Sequence, residues 1–203
     1  MKGSKIFKAA FIVMIISIIS RFLGLFRDML VSYQFGMNMY TDAYKAAVSV
    51  PETVFTIVGL AISTVFIPML SKVKYEKNKE EMFKFSNNII SILLVISIIA
   101  FSLGFAFTRE IVSFMFDGFS NEKFILTVFL TRITLFNLLF LSINACYTAM
   151  LQVCEDFVIP SILGMFFNVP MIIYLLFFSN INIIGLTIAN VIGNFLRVAI
   201  QVP

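Results

Sequence analysis

The sequence predicts an all-α membrane protein of six transmembrane helices, and three observations carry that expectation. Hydrophobic residues make up 60% of the 203 and charged residues 13%, where an ordinary soluble domain holds roughly 45 to 50% and 25%. The apolar residues fall in runs of the ~20 residues that a bilayer crossing takes. Charge is also confined: between Lys8 and Phe35 only Arg21, Arg27 and Asp28 interrupt a stretch of roughly 40 Å at about 1.5 Å per residue.

The first span is expected at about residues 6–33. Its early part, residues 9–20, has no small-residue cleavage site after it and several more apolar spans follow, so it reads as a retained helix and not as a signal peptide. A turn at Gln34-Phe35-Gly36-Met37-Asn38 leads into the second span, about 41–67. Residues 71–84 form a polar segment with five lysines and three glutamates before the third span, about 85–107. Residues 110–116 are expected as a short amphipathic piece in the interface, ended by Asp117-Gly118. The fourth span is about 124–151, followed by a tight turn at Glu155-Asp156. The fifth, about 157–178, is expected to be broken by Pro160 and Pro170, and the sixth is about 183–202. No segment reads as an extramembrane domain, so residues 1–203 form one transmembrane lobe.

Lys and Arg set the orientation. With the N-terminus inside, the cytoplasmic side holds Lys2, Lys5, Lys8, the five loop lysines and Arg197, and the far side only Arg109 and Lys123. That bias predicts a multi-pass plasma-membrane protein with both termini cytoplasmic. The net charge of +4 is therefore topogenic: its basic residues lack the aromatic interleaving of a nucleic-acid surface, and no nucleic-acid partner is expected. The chain has no histidine, which removes histidine bases, proton relays and metal ligands. Cys146 and Cys154, eight residues apart on one predicted helix end, are packing residues. Phosphate-binding glycine loops, metal-ligand spacings and a nucleophile with its base are missing, so no enzyme, cofactor or metal is expected.

The charges inside the spans are the functional candidates, because an unpaired arginine at mid-bilayer costs several kcal/mol unless it meets water, a partner or a ligand. On the first helix Ser17, Ser20, Arg21, Gly24 and Asp28 recur at steps of three or four, with Arg27 beside them. On the second, Asp42, Lys45, Ser49, Glu52, Thr56, Gly59 and Ser63 do the same. Two such faces predict a shared wet cavity. Pro51 removes one backbone donor within the second stripe and is expected as a bend point, with Gly24 as a second gating position. The intramembrane charges are Arg21, Arg27, Lys45, Arg132 and Arg197 against Asp28, Asp42 and Glu52, an excess of positive charge that suits a phosphate- or carboxylate-bearing ligand. Internal ion pairs holding the bundle together are the alternative role for these residues. Arg132 lies within snorkelling reach of the outer interface, Arg197 is expected as an inner anchor, and Asn137, Asn144, Asn168, Asn190 and Asn194 as polar glue between helices.

Ser20-Arg21-Phe22-Leu23-Gly24-Leu25-Phe26-Arg27-Asp28, then Phe35-Gly36, Thr41-Asp42-Ala43-Tyr44, Val50-Pro51 and Phe66-Ile67-Pro68-Met69-Leu70-Ser71, resemble the opening of the MurJ (MviN) lipid II flippase family of the MOP exporter superfamily. Leu130-Thr131-Arg132-Ile133, Leu151-Gln152 with Phe157 and Pro160, and Ile200-Gln201-Val202-Pro203 fit the same pattern, so the resemblance covers nearly the whole chain. It implies one lobe of a MOP/MATE-like, V-shaped transporter of two six-helix lobes. Such a transporter carries the undecaprenyl-diphosphate-linked peptidoglycan precursor between leaflets of the bacterial plasma membrane by alternating access. It also implies partners: lipid II or a similar lipid-linked glycan, membrane lipids, and a missing C-terminal lobe or a second copy. Implied roles are diphosphate contact for Arg27, orientation of that arginine by Asp28, and gating or headgroup contacts for Arg21 and Asp42. Some members carry a basic pair after the second-helix proline where this chain has Glu52-Thr53, which leaves Lys45 as the substitute. Polysaccharide or sporulation flippases, a drug or cation antiporter of the superfamily, and a non-transporting scaffold are the alternatives.

Overall fold

The protein folds as a bundle of apolar helices in which side-chain oxygens and amides set the helix ends. The structure, a computed structural model, describes residues 2–201, apart from the side chains of residues 2–6, 8 and 9. The side chains of Lys2, Lys5 and Lys8 in the charge bias, and Val202 and Pro203 of the closing motif, thus lie outside the described residues. Helix α1 is Lys2–Phe35 and α2 Met39–Ala61. A π-helical turn, Ile62–Phe66, joins α2 to α3, Ile67–Glu76. Then come α4 (Lys79–Ala106), α5 (Thr108–Met115), α6 (Asn121–Thr134), α7 (Asn137–Val153), α8 (Val158–Phe177) and α9 (Ile183–Ala199).

The turns form where the sequence places Gly and Asn. Gly36, at φ +67°, takes the left-handed position after α1. Asn38 then caps α2, its Oδ1 accepting from the amides of Tyr40 (3.0 Å) and Thr41 (3.3 Å). Asn78 caps α4, Asp156 caps α8 and Asn182 caps α9 in the same way.

Several expected boundaries move. The second span does not end at Ile67: the helix runs unbroken in direction from Met39 to Glu76, with the π turn inside it. The polar segment 71–84 is therefore not a loop but two helix ends with a break at Lys77-Asn78. Glu and Lys favour helix and pair along it, Lys72 with Glu76 at 3.8 Å and Lys84 with Glu80 and Glu81 at 3.2 and 3.1 Å. Lys74 donates to the carbonyl of Val153 at 2.7 Å and so closes the C-terminus of α7. The fifth span is not broken by its prolines. Pro160 occupies the first turn of α8, where no backbone donor is needed, and α8 continues through Pro170.

The fourth span, by contrast, is two helices bent by 42° between Thr134 and Asn137. No proline stands there. Its backbone switches to the tighter bonds Leu138 N to Leu135 O (3.0 Å) and Leu139 N to Phe136 O (3.2 Å), and on either side of the break Thr134 and Asn137 turn inward to other helices. Helix α9 ends at Ala199, so its 17 residues fall short of the expected 183–202. The expected amphipathic piece is α5, which buries Thr108 and Val112 and leaves Phe114 90% exposed.

Buried apolar residues form two clusters. One joins Val31, Ala43, Ala47, Leu130, Met171 and Leu186, so that α1, α2, α6, α8 and α9 meet there. The other joins Ile62, Phe66, Leu70, Met82, Cys146 and Met150, in the π turn, α3, α4 and α7. Helix α2 passes from the first cluster to the second, and the π turn begins as it enters the second. Helix α1 packs chiefly on α8, and none of its most apolar stretch is buried within the bundle.

Candidate functional site

The site begins with two close helix approaches. Gly164 on α8 faces the Ser20 side chain of α1 with no room for a methyl group, and a Cβ on Gly24 would lie 3.6 Å from Asn168 Nδ2. Ser20 and Gly24 of the α1 stripe thus lie against α8, and α1 and α2 make little direct contact. One turn further along, this seam places Arg27 beside Asn168.

Arg27 is held on two sides. Its Nε and Nη2 donate to Asp28 Oδ1 at 3.0 and 2.8 Å, and its Nη1 donates to Asn168 Oδ1 at 2.8 Å. Asn168 is itself fixed by donating to the carbonyl of Gly164 at 2.8 Å. A guanidinium has five N–H donors, so these three bonds leave one N–H on each terminal nitrogen uncommitted. The face of the group also lies 5.5 Å from the centre of the Phe167 ring.

Beyond Arg27 opens a cavity of about 380 Å³. Arg27 and Asp28 from α1, Lys45 and Glu52 from α2, Phe167 from α8 and Asn190 from α9 are among the residues that line it. Four of the residues singled out in the sequence are therefore brought to one space. Lys45 and Glu52 have no hydrogen-bond or ion-pair partner among the described residues, whereas Asp28 is committed to Arg27. Asn190 closes the back, donating to Tyr44 Oη at 3.3 Å and accepting from Asn137 at 2.9 Å.

The other candidates stand elsewhere. Arg21 is exposed on α1, does not line the cavity and has no partner among the described residues. Asp42 pairs with Lys123 at 2.8 Å and ties the start of α2 to the start of α6, as an internal ion pair does. Gly24 lies inside unbroken α1. Pro51 lies buried inside unbroken α2, and the carbonyl that it leaves without a donor, that of Ala47, accepts from Thr134 Oγ1 at 2.6 Å. The change of helical register comes later, at Ile62–Phe66. Lower on the α2 stripe, Thr56 and Ser63 donate back to the carbonyls of Glu52 and Leu60 and so need no wet neighbour. Arg132 lies over the Phe105 ring at 5.3 Å. Arg197 is not a free inner anchor; it is partly buried with its Cζ 4.0 Å from the centre of the Phe167 ring.

Asn168, Phe167, Asn190 and Tyr44 complete the site and were not singled out for it in the sequence. A signal was present for one of them: Gly164 and Asn168 are four apart, so the residue permitting the close approach and the one that uses it share a face. Of the other asparagines, Asn137 bonds Asn190 across helices and Asn144 accepts from Gln201 just beyond α9, whereas Asn194 bonds only Asn190 and Arg197 of its own helix and is not glue between helices.

An all-helical bundle whose apolar helices enclose a charged, arginine-bearing cavity defines a multi-pass membrane protein with a polar internal site. Comparison with known proteins narrows the class. Residues 31–203 match the family model for the lipid II flippase MurJ, and the chain belongs to that family. It is 31% identical over 204 residues to the probable lipid II flippase MurJ of Buchnera aphidicola subsp. Baizongia pistaciae, covering 98% of this chain and 40% of that one. With the lipid II flippase MurJ of Thermosipho africanus it shares 32% over 178 residues, 87% of this chain and 37% of the relative. A solved structure of lipid II flippase MurJ in an inward closed conformation superposes with a TM-score of 0.73 at 29% identity. It covers 92% of this chain and 40% of that chain. The chain spans about 40% of the length of these relatives.

Proposed function

We propose that this chain is the N-terminal lobe of a lipid II flippase, a transporter and not an enzyme. It moves the undecaprenyl-diphosphate-linked peptidoglycan precursor from the inner to the outer leaflet. The observation that carries the proposal is the state of Arg27: fixed by Asp28 and Asn168, with two uncommitted N–H groups at a cavity that also holds Lys45. Such a pair grips a phosphate through two parallel bonds, and a preset geometry avoids the entropy of ordering the side chain on binding. The diphosphate occupies the cavity, the prenyl tail stays in lipid, and rocking of this lobe against a second one changes which leaflet the cavity reaches. The second lobe comes from a further segment or from another copy. Both termini face the cytoplasm, and the bent α6–α7 pair and the short α9 complete six crossings. Arg21 and Asp42, outside the cavity here, contact the headgroup or gate its passage in another state of the cycle, and Gly24 and Pro51 are the positions where α1 and α2 flex. The supporting facts are family membership and the cavity's residues.

The test is Arg27→Ala in cells that depend on this protein for cell-wall synthesis. Membrane insertion is retained and outer-leaflet exposure of the precursor, read by its accessibility to an added hydrolase, is lost. Normal exposure in that variant removes Arg27 as the diphosphate ligand.

A further inference from the structure

Arg197 carries a feature that the function above leaves unused. Gly193, one turn before it on α9, has no space for a side chain against the backbone of Phe167, so α9 lies directly on α8 there. That contact sets the Arg197 guanidinium on the Phe167 ring, the ring against which Arg27 also lies. Phe167 lines the cavity; Arg197 touches this wall without lining it. Its Nη1 donates to Asn194 Oδ1 at 3.2 Å, and Asn194 donates to the carbonyl of Asn190, another cavity residue. Its Nε is buried with no hydrogen-bond partner among the described residues. Buried donors of charged groups are rarely left so, and this one is short of an acceptor.

Charge points the same way. Arg27 and Lys45 are offset by Asp28 and Glu52, so the charged lining sums to zero. A diphosphate diester brings two negative charges, and a neutral lining offers it no net attraction. Arg197 makes the group positive. Glu52 lines the same cavity and has no hydrogen-bond or ion-pair partner among the described residues.

We propose that Arg197 is a second oxyanion ligand of this cavity. It takes one phosphate of a lipid diphosphate beside the Phe167 ring while Arg27 takes the other, and Glu52 is the counter-charge that the incoming anion displaces. The proposal rests on the flippase function and adds to it a residue, a stoichiometry of two arginines per diphosphate, and a competitor.

The experiment measures binding of undecaprenyl diphosphate and of uncharged undecaprenol to the purified full chain in nanodiscs, by native mass spectrometry, at two salt concentrations. Wild type prefers the diphosphate. Arg197→Gln weakens the diphosphate about tenfold, the size of one hydrogen bond to a charged group, leaves undecaprenol unchanged and flattens the salt dependence. Arg197→Lys regains part of the loss, and Glu52→Gln tightens the diphosphate. If Arg197→Gln binds both lipids as wild type does, or loses both alike, Arg197 is a packing residue and the inference is overturned. Should that variant not fold, Glu52→Gln decides, and unchanged diphosphate affinity there overturns it. Arg27→Ala separates the two proposals. Its loss of diphosphate binding beside an unaffected Arg197→Gln leaves the flippase function standing, while a wild type indifferent to the diphosphate ends both.

Discussion

The bond from Thr134 Oγ1 to the carbonyl of Ala47 predicts a specific thermodynamic coupling. Pro51 has no N–H, so the carbonyl four residues earlier loses its helical partner deep inside the bundle, where both Ala47 and Thr134 are wholly buried. Thr134 supplies the missing donor at 2.6 Å while also bonding Thr131 O at 3.1 Å. Thr134→Val keeps the shape and removes the hydroxyl, which leaves a buried carbonyl unsatisfied at a cost of about 1 to 3 kcal/mol. At roughly 2 to 4 °C per kcal/mol for a chain of this size, the helical signal of the detergent-solubilised protein melts about 2 to 12 °C lower. Pro51→Ala restores the backbone donor, so in that background Thr134→Val costs well under half as much. The four melting temperatures of wild type, the two single variants and the double variant form a cycle in which the effect of proline on the unfolded chain cancels. Equal losses in both backgrounds refute the reasoning, because the hydroxyl then does not stand in for the missing amide.

Two further variants probe the seams that position the cavity. Gly164→Ala drives a methyl group into Ser20 and separates α1 from α8, which destabilises the protein by about 1 to 3 kcal/mol. Adding Ser20→Ala recovers part of it in the same melting assay, and no recovery would place the strain elsewhere. Asp42→Asn breaks the pair with Lys123, in which Asp42 is 56% and Lys123 19% exposed, and lowers stability only slightly, because solvent screens the pair. That loss shrinks in high salt, and a larger, salt-independent loss would show that the pair does more than tie α2 to α6.

Composition and run length were enough for the class of the protein, since a bilayer requires long apolar helices that satisfy their own backbone, and that requirement is written locally along the chain. The caps at Asn38, Asn78, Asp156 and Asn182 are local in the same sense. So is the neighbour pair Arg27-Asp28, and the appearance of Arg27, Asp28, Lys45 and Glu52 in a single cavity follows from helix periodicity combined with the high cost of leaving them in lipid. What periodicity does not contain is which helix each face meets. Ser20 and Gly24 of the α1 stripe meet α8, because Gly164 lets the backbones together there, and Asn168 becomes the second support of Arg27 through that contact. The bend between α6 and α7 has no breaker in its sequence; it follows from Thr134 and Asn137 finding partners on α2 and α9. Arg197, one charged residue near a helix end in the sequence, comes to lie against the cavity-lining Phe167 ring only because Gly193 lets α9 rest on Phe167. The sequence alone determined a membrane bundle with charges that had to share a wet space, since solvation energy acts residue by residue. Only tertiary packing decided which charges share it, since that depends on where two glycines permit helices to touch.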